Sequence, residues 1–241
     1  MDRRRTPARS RSPSSTRRAP RTRATPTKPG ATRSGDAPRS LLRGIYALID
    51  PGRAEPIAFT EALLRGGIRL FQVRAKGGID GATLIAIVNR VRDAGGLTLV
   101  NDDVRLARLA DGVHLGQEDA AELDLHLLRS ALGSSIIGLS CGVPAEARAA
   151  DPKLVDYVAA GPVFATPSKH DAGDPIGISG TRAVVQATTL PSAAIGGIGP
   201  ANIARVAESG VQMAAVISAL VCDDPEAAAR DLVARWNAAT A

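Results

Sequence analysis

The 241-residue sequence has two cysteines, no long apolar run and no dinucleotide-binding glycine turn. Cys141 and Cys222 are too few for a disulfide framework, and they lack the close spacing of a metal-binding pair. No apolar stretch approaches the roughly 20 residues that a membrane-spanning helix needs. No G-x-G-x-x-G turn follows a predicted strand. These absences favour a soluble protein of a reducing compartment, and we expect a cytoplasmic location.

The excess positive charge belongs to the start of the chain. Residues 1–40 hold 12 Lys/Arg against 2 Asp, whereas the remainder holds 18 Lys/Arg against 22 Asp/Glu. The first stretch is rich in Arg, Ser, Thr and Pro and has little apolar surface to bury, so it predicts a disordered tail over residues 1–42. A solvated extension, a targeting segment and non-specific contact with nucleic acid all remain open for it.

From residue 43 to 241, short apolar runs alternate with segments of helical period. The predicted strands are residues 44–49, 69–76, 98–102, 112–117, 135–141, 156–164, 192–198 and 212–220. The predicted helices are residues 57–65, 82–94, 104–110, 121–132, 144–150, 178–188, 201–209 and 225–239. Eight strand–helix units with continuously apolar strands predict a single α/β domain, a (β/α)₈ TIM barrel. A doubly wound open sheet is the alternative.

Charged residues cluster where the second predicted strand ends. Gln72, Arg74 and Lys76 alternate along it and therefore share one face, which in a barrel is the lumen or its mouth. Two cations placed there without anions would be costly. The pattern predicts an anion site.

Carboxylates follow the next two strands. Asp102 ends strand three and Asp119 follows strand four, so both should lie near the cations of strand two. Carboxylate oxygens completed by phosphate and water are typical of a Mg²⁺ site. For the neighbouring Asp103 and Glu118 we predict helix-capping or first-turn positions instead.

Small and hydroxyl-bearing residues end strands six to eight. The sequence GPVFATPSK carries Thr166, Ser168 and Lys169, Gly197 lies in the glycine-rich end of strand seven, and strand eight carries Ile217-Ser218. Loops after the last strands of such barrels commonly bind phosphate at helix N-termini. An ordinary polar loop and a merely tight glycine turn are the structural alternatives. With the strand-two site, the pattern indicates two phosphorylated substrates or one bisphosphate, with metal-bound pyrophosphate as the leaving group.

Taken together, QVRAK, LVNDD, ADGVHLGQED, AAGPVFATPSK, AIGGI and VISAL resemble thiamine-phosphate synthase over residues 44 to about 222. The resemblance implies a (β/α)₈ transferase of thiamine biosynthesis. It would join hydroxymethylpyrimidine diphosphate to carboxylated thiazole phosphate, with Mg²⁺, and release pyrophosphate and CO₂ by a dissociative mechanism. The sequence leaves a homo-oligomer open.

The resemblance also implies a role for each matching residue. The pyrimidine diphosphate would contact Gln72, Arg74, Lys76, Asn101, Ser140 and Lys169. Mg²⁺ would be held by Asp102 and Asp119. The thiazole phosphate would contact Thr166, Ser168, Gly197, Ile217 and Ser218. Catalytic roles would fall to Arg74, Lys76, Ser140 and Lys169.

The chain departs from the family pattern after strand five. Ser140-Cys141-Gly142-Val143 stands where S-A-H-T is usual, Ala159-Ala160 replaces a glycine-containing approach to strand six, and Ser168 replaces a threonine. The segment from residue 169 to 195 also looks shorter. Two alternatives follow: a thiazole tautomerase, which normally has a histidine after strand five, and a non-catalytic barrel that binds anions or nucleic acid through its tail.

Overall fold

Eight parallel strands close into one barrel. The computed structural model describes residues 39–166 and 173–241. Each strand pairs with the next along the chain, and β8 pairs with β1, which confirms the barrel and excludes the open sheet. The strands are β1 Gly44–Ile49, β2 Leu70–Val73, β3 Leu97–Asn101, β4 Gly112–Leu115, β5 Ile136–Cys141, β6 Tyr157–Ala160, β7 Ser192–Ile195 and β8 Met213–Val216.

Helices surround the barrel in chain order. They are α1 Pro56–Arg65, α2 Gly81–Asp93, α3 Gln117–Ala121, α4 Leu125–Leu132, α5 Pro144–Ala149, α6 Gly177–Gln186, α7 Ile203–Ala207 and α8 Pro225–Thr240. Two predictions were wrong in detail. The segment after β3 is a 3₁₀ turn at Leu106–Leu109, and the predicted helix 121–132 is divided between α3 and α4. The Asp124 side chain causes the division, because it accepts hydrogen bonds from His126 N and Leu127 N and so starts a new helix.

Most strands are shorter than the apolar pattern of the sequence predicts. The clearest case is β2, which was predicted to continue to Lys76. After Val73 the Arg74 amide still donates to Ile49 O at 2.8 Å, but Gly78 N then donates to Ala75 O and turns the chain away. Apolar and polar alternation continues into this turn, whereas the ladder of hydrogen bonds does not.

The strands separate two apolar layers. On β1, Ala47 and Ile49 face outward and pack against the helices, while Tyr46 and Leu48 face the lumen. This alternation repeats around the barrel, as expected when both faces of each strand are buried. Arg39–Leu41 form a 3₁₀ turn before β1, and Leu42 is buried with the lumen cluster. The rest of the predicted tail, residues 1–38, lies outside the described residues, and its disorder stays a prediction.

One lumen position requires the absence of a side chain. A Cβ atom at Gly138 of β5 would lie 2.2 Å from the ring of Tyr157 on the neighbouring strand β6. Real carbon atoms do not approach so closely. Glycine at this position therefore makes room for the tyrosine ring.

The opposite, N-terminal end of the barrel carries a buried ionic cluster. The Asp156 side chain is 1% exposed, and its Oδ2 accepts from Arg129 Nη2 at 2.6 Å and from Ile137 N at 2.8 Å. Its Oδ1 lies 2.5 Å from Nη2 of the half-exposed Arg39. The cluster ties the segment before β6 to α4 and to the start of β5. Among the described residues, no helix is both long and apolar enough to cross a membrane.

Candidate active site

A cavity of about 390 Å³ lies at the C-terminal ends of the strands. This is the end where (β/α)₈ barrels carry their active sites, and the volume suits a small molecule. Eleven of the thirteen residues singled out in the sequence line it. They are Gln72, Arg74, Lys76, Asn101, Asp102, Asp119, Ser140, Thr166, Gly197, Ile217 and Ser218. The other two, Ser168 and Lys169, lie outside the described residues, so their placement stays a prediction.

The three polar residues after β2 occupy different depths. Gln72 is 2% exposed in the lumen, Arg74 is half-buried, and Lys76 is exposed at the rim. The expectation that Arg74 and Lys76 continue the strand was wrong, because β2 ends at Val73. All three nevertheless line the same wall of the cavity. The wall therefore presents a deep amide and two cations nearer to solvent.

Asp102 is held in an unusual backbone conformation. Its φ of 60° lies in the left-handed region, which non-glycine residues seldom adopt, and aspartate and asparagine tolerate it best. Its Oδ1 accepts from Gly116 N at 3.0 Å, and the Asn101 amide donates to its Oδ2. These contacts direct the carboxylate toward the loop between β4 and α3.

The side-chain carboxyl group of Asp119 lies beside that of Asp102, next to Gly116 of that loop. Burial raises the pKa of Asp102; the Gly116 amide lowers it, and the neighbouring Asp119 carboxyl group raises it further. The residues that the structure describes contain no cluster of three or more His, Cys, Asp or Glu side chains arranged for a metal. Two facing carboxylates beside Arg74 still fit a hard divalent cation whose other ligands come from phosphate and water.

The two neighbouring acids have the structural roles predicted for them. Asp103 Oδ1 accepts from Arg105 N at 2.9 Å and from Leu106 N at 3.2 Å, and so caps the 3₁₀ turn. Glu118 lies in the first turn of α3.

Glycines shape the opposite wall, after β7. Gly196 and Gly197 have φ values of 103° and 63°. A Cβ at Gly197 would lie 2.7 Å from Ala165 O, so the β7 loop packs directly on the segment that carries Thr166. Only glycine allows both this close contact with Ala165 O and a left-handed backbone conformation.

The start of one expected helix contacts this wall directly: Asn202, the residue before α7, donates through its side-chain amide to Gly197 O at 2.9 Å. The five-residue α7 begins at Ile203, after an intervening turn, and α8 begins at Pro225, well beyond Ser218. After β8 the chain makes a turn in which Leu220 N donates to Ile217 O at 3.0 Å. A phosphate bound at this wall would meet loop amides and hydroxyl groups beside the start of α7.

Polar residues that the sequence pattern did not reveal lie at the floor of the cavity and directly beneath it. Tyr46 and Tyr157 meet hydroxyl to hydroxyl at 2.9 Å, and His114 lies beside them with its imidazole stacked on the Tyr157 ring. Alternation along G-V-H-L would have placed His114 in the lumen. Its partners could not be predicted, because Tyr46 and Tyr157 are 111 residues apart and meet only through the register of the closed barrel.

The altered loop after β5 is tied to α3. Glu146 Oε2 accepts from Gly142 N at 2.6 Å and also from the Gln117 amide. This contact holds the loop against the first turn of α3, which carries Asp119. Cys141 is buried beneath the loop, and burial together with the nearby Glu146 raises the pKa of its thiol to about 12.

Known proteins are similar in sequence to this chain along most of its length. A family model described as thiamine monophosphate synthase matches residues 45–220. The thiamine-phosphate synthase of Herpetosiphon aurantiacus is 40% identical over 202 residues, which cover 80% of this chain and 96% of that protein. The thiamine-phosphate synthase of Moorella thermoacetica is 41% identical, covering 75% and 88%. A bifunctional thiamine biosynthesis protein of Symbiobacterium thermophilum is 45% identical over 81% of this chain, which spans 41% of that longer protein.

A solved structure agrees with these relatives. The thiamine phosphate pyrophosphorylase of Pyrococcus furiosus superposes with a TM-score of 0.75 at 30% identity, covering 83% of this chain and 98% of that one. A geranylgeranylglyceryl phosphate synthase of Thermoplasma acidophilum, at 15% identity and a TM-score of 0.59, shares the fold alone. The cavity and the matched sequence lead to one conclusion: the chain belongs to the thiamine monophosphate synthase family of transferases.

Proposed function

We propose that this thiamine-phosphate synthase homologue joins hydroxymethylpyrimidine diphosphate to carboxylated hydroxyethylthiazole phosphate. A bond forms between the thiazole nitrogen and the pyrimidine methylene carbon. The bond from that carbon to the diphosphate oxygen breaks, the carboxylate leaves as CO₂, and the ring carbon that carried it takes up a proton from solvent. The products are thiamine phosphate, pyrophosphate and CO₂.

The observation that carries this proposal is the division of the cavity into two unlike walls. One wall has Arg74, Lys76 and the Asp102–Asp119 pair, and the other has the glycine turn and Ser218. Cations and a carboxylate pair that would hold a metal suit a diphosphate, which has the higher charge. Loop amides and a hydroxyl group suit a phosphate monoester.

The residues of the first wall would stabilise the departing diphosphate. Arg74 and Lys76 would neutralise its oxygens, and Ser140 and Lys169 would add hydrogen-bond donors. Asp102 and Asp119 would hold Mg²⁺, which when bound supplies further positive charge for the leaving group. A pyrimidine methylene cation would remain on the cavity floor, near Gln72 and Asn101.

The second wall would hold the attacking ring in place. Thr166 and Ser168 would contact the thiazole, and Gly197, Ile217 and Ser218 would bind its phosphate. No protein nucleophile takes part in this scheme. Positioning of the two substrates and electrostatic stabilisation lower the barrier.

The test is pyrophosphate release from the purified full-length chain. Release should require both substrates and Mg²⁺, and it should stop when a chelator is added. Arg74→Met should lower kcat/KM by roughly 10- to 100-fold, the effect of losing one hydrogen bond to a charged group. Arg235→Met is the matched control, because Arg235 lies on α8 and pairs with Asp231 at the surface.

Other outcomes would reject the proposal. Isomerisation of the thiazole phosphate without pyrophosphate release would favour the tautomerase alternative. A folded protein with no turnover and a salt-sensitive affinity for nucleic acid, lost on removing residues 1–38, would favour the binding role of the tail. We propose the cytoplasm as the location, since both substrates are charged metabolites.

A further inference from the structure

Five side chains form a continuous hydrogen-bonded chain that passes beneath the floor of the cavity. Gln72 Nε2 donates to Tyr46 Oη at 2.8 Å, and Tyr46 Oη lies 2.9 Å from Tyr157 Oη. Tyr157 Oη lies 2.8 Å from His114 Nδ1, and His114 Nε2 lies 3.0 Å from Ser140 Oγ. The chain crosses strands β1, β2, β4, β5 and β6. Its two ends, Gln72 and Ser140, both line the cavity.

With the Gln72 amide nitrogen facing Tyr46, the hydrogen bonds of this chain can run in only one direction. Within residues 39–166 and 173–241, the Tyr46 oxygen has two partners, the Gln72 amide nitrogen and the Tyr157 hydroxyl group. The Gln72 nitrogen can only donate, so Tyr46 satisfies its own hydrogen by donating to Tyr157. Tyr157 then donates to His114 Nδ1, which must carry no hydrogen. The hydrogen of the neutral imidazole therefore lies on Nε2 and points at Ser140 Oγ.

The reverse direction would leave a buried group unsatisfied. If His114 Nδ1 donated to Tyr157, then Tyr157 would donate to Tyr46, and the Tyr46 hydrogen would have no acceptor among the described residues. Tyr46 is 1% exposed and cannot turn to water instead. An unmade hydrogen bond of this kind costs about 1–3 kcal/mol.

Burial keeps both phenols in their donating form. It raises the pKa of Tyr46, against the effect of its hydrogen bonds to Tyr157 and Gln72. It also raises the pKa of Tyr157, with the Tyr46 hydroxyl acting in the same sense. Both phenols therefore remain neutral and keep their hydrogens throughout the physiological pH range.

We propose that Tyr157 and His114 are positioning residues that turn Ser140 into a hydrogen-bond donor toward the substrate. Because Ser140 Oγ accepts from His114 Nε2–H, its own hydrogen is free to point into the cavity and meet an anionic oxygen. At the other end, one of the two amide hydrogens of Gln72 is engaged by Tyr46, which fixes the orientation of the amide group and leaves its carbonyl oxygen able to accept. The floor thus offers a hydrogen-bond acceptor at Gln72, suited to a donor such as a ring amino group, and a hydrogen-bond donor at Ser140, suited to an anionic oxygen.

The identity of the substrate in this inference rests on the proposed function, whereas the tautomer of His114 does not. The first test is therefore nitrogen NMR of the substrate-free, ¹⁵N-histidine-labelled full chain at neutral pH. The chain has three histidines, and the signals of His114 are those that remain in the His126→Gln, His170→Gln double variant. We expect Nε2 to be protonated and Nδ1 to be unprotonated.

Two tyrosine variants distinguish the effect of hydrogen-bond direction on the His114 tautomer from an effect of packing. Tyr157→Phe removes the donor to Nδ1, so we expect both tautomers of His114 to be populated. Tyr46→Phe removes a hydroxyl group of equal size and burial but leaves the Tyr157–His114 bond, so the tautomer should stay unchanged. An Nδ1–H tautomer or an imidazolium in the wild-type chain would overturn the proposal, and so would equal responses from the two variants.

The second test is a double-mutant cycle on turnover. Ser140→Ala should lower kcat by roughly 10- to 100-fold, and Tyr157→Phe should lower it by a smaller factor. If Tyr157 acts through Ser140, then the Tyr157→Phe, Ser140→Ala double variant should be no slower than Ser140→Ala alone. Multiplied losses would overturn the proposal. Failure of the proposed function would appear instead as an inactive wild type with the expected tautomer.

Discussion

The buried ionic cluster at the N-terminal end of the barrel should control stability without affecting catalysis. We consider Asp156→Asn, which keeps the volume of the side chain and removes its charge. Asparagine would retain one oxygen for Arg129 or for Ile137 N, but it would turn an amide group toward a guanidinium group. The ion pair with Arg129 would be lost, and Arg129 would remain largely buried without a counter-charge.

The size of the effect follows from the burial of the two partners. Breaking a buried ion pair by changing one partner costs about 3–5 kcal/mol. The contact to Arg39 adds little, because that arginine is 53% exposed and exposed pairs contribute about 0–1 kcal/mol. We therefore expect Asp156→Asn to lower the free energy of unfolding by about 3–4 kcal/mol. For a domain of this size that corresponds to a fall in Tm of roughly 10 °C.

The assay is equilibrium unfolding in urea, followed by circular dichroism at neutral pH. Asp231→Asn is the matched control, because it removes an exposed i,i+4 pair with Arg235 and should cost less than about 0.5 kcal/mol. Turnover of folded Asp156→Asn should remain within about twofold of wild type, since the two ends of such barrels serve stability and catalysis separately. A loss below about 1 kcal/mol would refute the reasoning, and so would a large fall in kcat at an unchanged Tm.

Three further predictions concern the cavity, the thiols and the tail. Asp102→Asn should lower turnover by roughly 100-fold or more while the circular dichroism spectrum is unchanged, because asparagine tolerates the left-handed backbone but loses the charge; near-normal turnover would remove Asp102 from the metal site. Because burial and Glu146 raise the pKa of Cys141 to about 12, one thiol, that of exposed Cys222, should react with a maleimide at pH 8, and both should react in denaturant. Two equivalents consumed by the folded chain would contradict the burial argument. Deleting residues 1–38 should leave kcat/KM unchanged in the pyrophosphate assay, and a large loss would mean that the tail contributes to the site.

The strands were predictable because each is a short, continuously apolar run between turn signals. Their ends were not, since composition does not show where the ladder of hydrogen bonds stops. At β2 the alternation of Gln72, Arg74 and Lys76 continues through a turn that begins after Val73. At β4 the helix α3 begins at Gln117, which the apolar pattern had assigned to the strand. In both places, local hydrogen bonding overrides the periodicity.

The rim of the site was more predictable than its floor. Residues such as Asp102 and Ser218 follow strands, and parallel strands bring their carboxyl ends to one edge whatever the detailed packing. The Tyr46–Tyr157 contact depends instead on which residues of distant strands face each other at the same height. Only the closed barrel with its final register determines that pairing.

The packing of Gly138 against Tyr157 means that the substitutions accepted at one of these positions depend on the residue at the other, both in protein engineering and in sequence evolution. A side chain at position 138 cannot be accommodated while the ring occupies the space beside it. Loss of the ring at position 157 would leave a hole next to His114 that a larger residue at position 138 could fill. A redesign of the cavity floor must therefore change both residues in a single step, since either change alone passes through a clash or a void.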